Sequence, residues 1–572
     1  MRTEFRVPCT TGTYADTLTA LGLAKLLTVL GATEVRIQRP PNASYYLVSS
    51  KTPIPNATNA PFQYLFPGIV TKGKSITSAA DIDYEAEKAK RTRYFEWRKA
   101  NPRVRPETLA EGVAPEPPRR DYSLISSLVD MLKPIENSSY TKTAEVLAHQ
   151  FGLYAEAALE GFATLDGEPE RIEARLKQLA GKAKIEVRTS AVQIFNPMAG
   201  KGMNAGKPNS IGMGGLEVPI PVEMLKFSGW WHGAVAATPR KTKDLKVLVI
   251  APKDIGYALL ESVVSAFREV FYGGGAIQID VMAALCLTEV LLQNHEAVPS
   301  RRGRPRHVIA GLNSAYFQSL GNAKGVSNLS FISLPEWIEV QDDSDRQLWL
   351  EVIGEHRRIL SRLDESRSEA HNLLQLYRDF LSLGLLEHFL EFLVDYGAYA
   401  LGVADRNKPV QWFTTNLLRR VFMGLDNETG SLSEILDNPG FQSIAAAIRR
   451  STRGALYAKK LSNDRTYEVR YGLAQELKRK ALYKSEFAAA LANFITEYMT
   501  ENLRAADRGK RQRPAVTTTD LEQVIALMDK HNPETVAMLL IAYGYAKEPR
   551  DADEPVVDDL SLDVASESEG EE

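Results

Sequence analysis

A change in hydrophobic periodicity near residue 337 most limits what this chain can fold into. From Trp337 to Tyr545, apolar residues recur at the spacing of amphipathic helices, and the alternation typical of strands almost vanishes. Before that point, helical runs are interrupted by strand-like runs such as the apolar "DLKVLVIAP". The pattern predicts an α+β protein, with a mixed α/β N-terminal region over residues 1–336 and an all-α helical bundle over residues 337–550.

The N-terminal region carries its own internal pattern. A helix is predicted over residues 14–31, and a hairpin is predicted from "EVRIQRP" and "SYYLVSS", which follow it. The charged run that begins at residue 81 reads as a helix to about Ala100, followed by a polar, proline-rich linker near residues 101–122. The chain is therefore expected to open with a helix and two strands.

The charges are distributed unevenly along the chain. The net charge is −3, yet residues 551–572 hold ten carboxylates and no Lys or Arg. Removing those ten negative charges leaves residues 1–550 at +7. The last segment is expected to be a disordered acidic tail that solvates the chain end, or one that screens a basic groove when no nucleic acid is bound.

Composition indicates an intracellular protein. The two cysteines, Cys9 and Cys286, make neither a disulfide framework nor a zinc set, which favours a reducing compartment. The first residues lack the apolar stretch of a signal peptide. The most apolar helical run, "LGLLEHFLEFLVDYGAYALGVA", carries too many charges to cross a membrane. We expect a cytoplasmic protein with no membrane association.

The sequence contains little that predicts catalysis. The eight histidines form no H-E-x-x-H motif and no close pair of metal ligands, and no G-x-S-x-G motif is present. His388, alone on an apolar helix, reads as a core residue. We expect no enzymatic activity, no metal and no cofactor.

The loop "NPMAGKGMNAGKPNS", residues 196–210, is a candidate nucleic-acid contact. It lacks the glycine spacing and the hydroxyl residue of a nucleotide-binding P-loop. Its glycines allow close backbone approach, its lysines supply charge, and its amides suit a base edge. The alternative is a mobile polar surface loop. The candidate contacts are Asn196, Lys201, Gly202, Asn204, Gly206, Lys207 and Asn209.

A basic run in the helical region is the stronger candidate. Between Arg449 and Arg513 the chain carries sixteen Lys or Arg against seven carboxylates, with Tyr457, Tyr467, Tyr471 and Tyr483 interleaved. Cations with aromatics between them suit a single nucleic-acid strand, whereas the alternative is a solvated helix face. Two further basic clusters are "RTRYFEWRK" at 91–99 and "RRGRPRH" at 301–307. The candidate contacts are Arg301, Arg302, Arg304, Arg449, Arg450, Arg453, Lys459, Lys460, Arg470, Lys478, Arg479 and Lys480.

Three segments resemble a known family. "FNPMAGKGMNAGKPNS", "YFQSLGNAKGVSNLSFISLP", and the C-terminal run from "YEVRYGLAQELKRKALYKSEF" to "VAMLLIAYGYA" are similar to the large subunit of type I CRISPR surveillance complexes (Cascade). This is the Cas-eight family, in its I-A or I-B-like branch. The resemblance covers most of residues 190–546 and is looser before them, and its motifs are not catalytic.

The resemblance implies a role in antiviral defense. Such subunits bind beside the subunit that caps the guide RNA, recognise the protospacer-adjacent motif in duplex DNA, aid unwinding and R-loop formation, and stabilise the displaced strand. The implied partners are the CRISPR guide RNA, target double-stranded DNA, the backbone and guide-capping subunits, a helicase-nuclease or transposition adaptor, and a small subunit. An internal start at Met423 would yield a 150-residue product, residues 423–572, as that small subunit, although Met423 also reads as a core methionine. The competing interpretation is an RNA-binding or RNA-processing scaffold without a DNA target.

Overall fold

A computed structural model describes residues 2–71, 81–102, 104, 113–199, 217–271, 273–321, 324–426, 430–461 and 465–549. The α+β fold class is confirmed, because sheets occupy the N-terminal half and helices the C-terminal half. The described residues fall into two compact units. Unit 1 runs to Pro299 and includes Arg304–Leu334, and unit 2 comprises Ser300–Gly303 and the chain from Pro335. The acidic tail at 551–572 lies outside the described residues.

The strands of unit 1 are β1 (Arg2–Pro8), β2 (Arg36–Gln38), β3 (Tyr45–Ile54), β4 (Ile69–Val70), β5 (Ile82–Asp83), β6 (Arg188–Ser190), β7 (Glu217–Pro219), β8 (Ala234–Ala237), β9 (Leu245–Pro252), β10 (Asp254–Gly256), β11 (Ile309–Ser319) and β12 (Lys324–Ser333). They include two four-stranded antiparallel sheets, ordered β1-β3-β2-β10 and β12-β11-β9-β8. Every residue of β9 is buried, as its continuous apolar sequence predicts.

Two helices of unit 1 press backbone to backbone. The helices are α1 (Tyr14–Val29), α2 (Tyr84–Ala100), α3 (Tyr122–Met131), α4 (Ser139–Thr164), α5 (Pro169–Ala180), α6 (Ile220–Gly233), α7 (Tyr257–Val270), α8 (Ala276–Gln293) and α9 (Pro305–Val308). A Cβ atom on Gly22 of α1 would lie 1.8 Å from the Leu225 carbonyl oxygen, and one on Gly229 of α6 would lie 2.0 Å from that of Leu18. Only glycine permits this approach.

Unit 2 is a helical bundle. Its helices are α10 (Asp343–Leu360), α11 (Ser368–Leu383), α12 (Leu386–Asp405), α13 (Thr415–Leu425), α14 (Ser431–Asp437), α15 (Pro439–Arg449), α16 (Ala455–Leu461), α17 (Leu473–Lys480), α18 (Lys484–Asp507), α19 (Thr518–Lys530) and α20 (Pro533–Tyr545). The bundle is built around α20, which is buried along most of its length and is covered by α12, α15, α17 and α19.

The structure corrects one sequence-based expectation. The chain opens with strand β1, paired antiparallel to β3, rather than with a helix. The most apolar helical run corresponds to α12, and Gly384 takes a left-handed φ of 67° and caps α11 just before it. The predicted helix at 14–31 and the hairpin of β2 and β3 are both present.

One helix of the described residues, α8, is long and apolar enough to cross a membrane by length and composition. Of its 18-residue window, 72% is buried inside the fold. Such burial is expected of a core helix in a soluble protein.

Candidate nucleic-acid interface

Asn196, the first residue of the candidate loop, is buried rather than presented to a ligand. Its side-chain amide donates to Glu223 Oε1 at 2.8 Å, and its Oδ1 accepts from Lys226 Nζ at 2.5 Å. Lys226 also pairs with Glu223 at 3.0 Å, so the three side chains form a buried triad. The prediction that Asn196 contacts nucleic acid is therefore wrong. Its side chain instead anchors the start of the loop in the core. Lys201, Gly202, Asn204, Gly206, Lys207 and Asn209 lie outside the described residues.

The neighbouring backbone is fixed as firmly as Asn196. Tyr14 donates its hydroxyl to the Ile194 carbonyl at 2.6 Å. Ile194 and Phe195 are fully buried, and Phe195 packs against Phe227 and Trp230 of α6. The backbone that immediately precedes the loop is thus anchored in the core of unit 1.

The basic run of unit 2 divides into cations engaged within the protein and cations left exposed. Lys460 illustrates the first group, because its Nζ lies 2.6 Å from the carbonyl oxygens of Ala404 and Asp405. It therefore neutralises the C-terminal end of α12, where helix carbonyls lack partners. Lys459 is 3.3 Å from the Tyr471 hydroxyl, which in turn donates to Asp405.

Carboxylates hold several of the other candidate cations. Lys478 lies 2.7 Å from Asp395 and 3.5 Å from Glu391 of α12. Lys480 lies 2.5 Å from Glu486. Arg479, which lies between these two lysines on α17, differs from them. It is exposed and has no partner among the described residues.

Two arginines of the run are structural. Arg470 pairs with Glu497 and, at 2.7 Å, with Glu501. Arg449 donates to the carbonyl oxygens of Ala546 at 2.7 Å and Tyr543 at 3.0 Å, which ties down the end of α20, and it pairs with Glu548. Burial lowers the pKa of Arg449. These two side chains have little left to offer a phosphate.

A five-residue π-helical segment, Arg450–Gly454, separates α15 from α16. Arg453 lies over the rings of Trp412 at 5.7 Å and Tyr457 at 5.2 Å. Arg450 contacts the Tyr498 hydroxyl. Tyr457, one of the tyrosines expected to stack on bases, is thus engaged with an arginine of the protein itself.

Four cations remain exposed at the end of α18, one in its last helical turn and three in the turn that follows it. Arg504, Arg508, Lys510 and Arg511 are exposed, and the described residues offer their side chains no partner. Gly509 takes a φ of +65°. Its N–H donates to the Ala506 carbonyl, and that of Lys510 donates to the Ala505 carbonyl, which is a Schellman cap. We call residues 504–511 the cationic turn.

Arg513, just after the cationic turn, holds the backbone of the turn in place. The Arg513 guanidinium lies between the rings of Tyr467 and Tyr498 and donates to Glu501 at 2.8 Å and to Asn502 at 3.1 Å. Asn502 donates back to the Arg513 carbonyl at 3.0 Å. The Tyr467 hydroxyl donates to the Arg511 carbonyl at 2.8 Å. The turn is therefore braced through its backbone while its side chains stay available.

Apolar side chains are exposed beside the unpartnered cations. Leu482 and Tyr483 are 65% and 62% exposed just after Arg479, and Leu503 is 63% exposed next to Arg504. Of the four tyrosines expected to stack on bases, Tyr483 is the most exposed. The sequence reasoning missed Leu482 and Leu503, and it gave no site role to the cationic turn.

The remaining basic cluster of the candidate set has Arg301 and Arg302 in unit 2 and Arg304 in unit 1. Arg301 and Arg302 are exposed, and Arg302 takes a left-handed φ of 55°. Arg304 is partly buried at the N-terminal end of α9. In the described part of the chain, no three His, Cys, Asp or Glu side chains cluster as a metal site would require.

The buried histidine of unit 2 is a core residue. His356 is fully buried, its Nδ1 lies 2.6 Å from the Tyr377 hydroxyl, and it packs against Phe389 and Phe413. Desolvation lowers its pKa to about 3, so it is neutral at pH 7.

No protein-family model matches this chain, and no curated protein matches it significantly.

Proposed function

We propose that this chain is the large subunit of a type I CRISPR RNA-guided DNA surveillance complex, and that unit 2 binds nucleic-acid backbone through the cationic turn. The resemblance of the 196–210 loop and of the C-terminal run to that family supports the first part. The observation that carries the second part is the exposure of Arg504, Arg508, Lys510 and Arg511 without partners in the described residues.

The charge balance of the cationic turn favours phosphate. The end of a helix carries roughly half a negative charge, and Asp507 adds one more. Four positive side chains outweigh both, so the turn presents a net positive surface. Its mixture of Lys and Arg on a backbone turn suits sequence-independent contact, because phosphate contacts carry no sequence information.

The rest of the proposal follows from the family resemblance. The 196–210 loop reads the protospacer-adjacent motif in duplex DNA, and unit 2 stabilises the displaced strand. The chain joins the guide RNA, the backbone subunits and the guide-capping subunit, and it helps to recruit a helicase-nuclease or transposition machinery. It acts without catalysing a reaction itself.

The first experiment measures how strongly the assembled complex binds target DNA at several salt concentrations. Replacing the four cations of the cationic turn with alanine should weaken binding by the same factor on correct and incorrect motifs. Each lost phosphate contact should lower the slope of log affinity against log salt by about 0.7–0.9. The control removes the same charge from exposed cations elsewhere in unit 2, namely Arg358, Arg362, Arg406 and Lys408. An unchanged slope in the cationic-turn variant, or an equal loss in the control, overturns this assignment.

A second experiment tests the loop. Lys201→Ala and Lys207→Ala should cost affinity on all duplexes, whereas Asn204→Ala and Asn209→Ala should narrow the gap between correct and incorrect motifs. A bidentate amide contact to a base is worth about 1–3 kcal/mol of discrimination. Binding to a pre-opened target should stay near the parent value. If every variant discriminates as well as the parent, another segment reads the motif.

Co-purification separates the proposal from the RNA-scaffold interpretation. We expect the chain to purify with guide RNA and several copies of one backbone subunit. Binding to RNA alone, with no other subunit retained, would instead favour the scaffold.

A further inference from the structure

A cleft in unit 1, apart from the cationic turn, has an unusual concentration of arginine. Its volume is about 370 Å³, and Arg119, Arg120 and Arg268 line it together with His232, Glu261 and Ser265. Clefts of this size accommodate small ligands. All of these residues belong to unit 1.

Arg268 is the central feature of the cleft, because it is a largely buried cation that forms no direct ion pair with a carboxylate of the described residues. Asp121 acts on it only through a longer-range Coulombic interaction. Its Nε and Nη2 donate to backbone carbonyl oxygens, with Nη2 2.7 Å from Ala234 O and 3.1 Å from Trp231 O. Its Nη1 makes no hydrogen bond within the described residues. Burial lowers the pKa of Arg268 to about 10, so the guanidinium remains charged at pH 7. A buried charge of this kind is normally compensated by an opposite charge.

The two arginines at the rim are oriented by carboxylates that leave donors free. Arg119 forms a fork with Asp121, using Nε and Nη2 at 2.9 Å each, which leaves its Nη1 available. Arg120, which is mostly exposed, pairs with Glu269. The rim arginines are therefore held in place by carboxylates and still have N–H groups that can donate to a ligand.

The other ionisable groups do not cancel the charge of Arg268. Glu261 lies 3.2 Å from His232 Nδ1 and 3.6 Å from Lys25 Nζ, so its carboxylate already interacts with two other groups. Burial lowers the pKa of His232, which keeps the imidazole neutral at pH 7. The three arginines and Lys25 face Asp121, Glu261 and Glu269, and the cleft keeps one positive charge in excess.

We propose that this cleft binds a phosphate group, held by Arg268 at its base and by Arg119 and Arg120 at its rim. Planar guanidinium groups match the spacing of phosphate oxygens, and the Ser265 hydroxyl adds a further donor. The phosphate belongs either to a small molecule, such as inorganic phosphate or a mononucleotide, or to the 5′ end of a nucleic acid. The proposal is independent of the cationic turn.

The test titrates the full-length protein with four probes: inorganic phosphate, AMP, a 5′-phosphorylated RNA oligonucleotide and its 5′-hydroxyl counterpart. Binding is followed by calorimetry and, for phosphate and AMP, by phosphorus NMR. We expect saturable binding of inorganic phosphate in the millimolar range or tighter. Tighter binding of AMP identifies a small-molecule site. Preference for the 5′-phosphorylated oligonucleotide over its counterpart identifies a nucleic-acid end. Either result supports the proposal.

Ser265→Glu is the decisive variant because it adds a negative charge to the cleft at an exposed position without removing the buried Arg268. It should weaken phosphate binding by about tenfold or more. Ser262→Glu adds the same charge at an exposed position of α7 that does not line the cleft, and it should bind like the parent. Absence of saturable phosphate binding in the parent, or equal binding by the two variants, overturns the proposal.

Discussion

The Arg513 guanidinium lies 3.8 Å from the centre of the Tyr467 ring and 4.0 Å from the centre of the Tyr498 ring. Arg511, two residues earlier, is exposed and has no side-chain partner among the described residues. Two arginines that look alike in the sequence therefore have different physical roles. The first stabilises the turn, and the second is available to a ligand.

This difference can be tested by stability measurements. Arg513→Ala should lower the free energy of unfolding by about 2–4 kcal/mol, because it removes two desolvated cation–π contacts and the hydrogen bonds to Glu501 and Asn502. Arg511→Ala should change it by less than about 0.5 kcal/mol. Urea unfolding of both variants provides the comparison, and equal effects would contradict the assignment.

Arg479 and Lys478 form a second matched pair, this time for binding. Arg479→Ala should lower the salt slope of DNA binding by about 0.7–0.9, because Arg479 has no partner in the described part of the chain. Lys478→Ala should leave that slope unchanged and cost up to about 1 kcal/mol of stability, since it breaks the contacts to Asp395 and Glu391. The opposite ranking in a salt titration would return Arg479 to a solvated surface role.

The buried triad of Asn196, Glu223 and Lys226 predicts a large effect of Lys226→Met on stability. Removing the ammonium leaves Glu223 buried without its counter-charge, which should cost about 3–5 kcal/mol at pH 7. Urea unfolding of the parent and of Lys226→Met at pH 7 measures this loss. A loss below about 1 kcal/mol contradicts the prediction.

His356 should make unit 2 less stable in mild acid. Its pKa is lowered from 6.5 to about 3 in the folded protein. The unfolded chain therefore takes up a proton first, and stability that is fully present above pH 6.5 is lost as the pH falls towards 3. The shift corresponds to roughly 4–5 kcal/mol.

The measurement for His356 is the urea midpoint at pH 7 and pH 5 in the parent and in His356→Gln. The variant has no titrating imidazole, so its midpoint should depend less on pH than that of the parent. Identical pH dependence in the two proteins would show that other groups dominate.

A product that starts at Met423 should not fold by itself. It would lack α12, which packs against α17 and α20 of unit 2, and with it the packing of Gly397 against Tyr545. We expect residues 423–572, expressed alone, to show little cooperative thermal unfolding by circular dichroism. A cooperative transition would revive the idea of a small subunit made from an internal start.

The sequence predicted the fold class well, because periodicity reports which face of an element is buried. It missed β1, in which charged residues alternate with uncharged ones and three of the seven residues are charged. The candidate site was harder to predict. Charge counting cannot distinguish Lys460, which caps a distant helix, from Lys510, which faces solvent, since the partners lie far away in sequence.

The close contact of α1 with α6 has a consequence for how the protein is made. Gly22 meets Leu225 across about two hundred residues of chain. At about 5–20 residues per second, the ribosome needs roughly 10–40 s to supply the second helix after the first. During that time the face of α1 that packs against α6, which includes Leu18 and Leu21, lacks its partner. The nascent chain should therefore depend on a chaperone during this interval more than its final stability suggests.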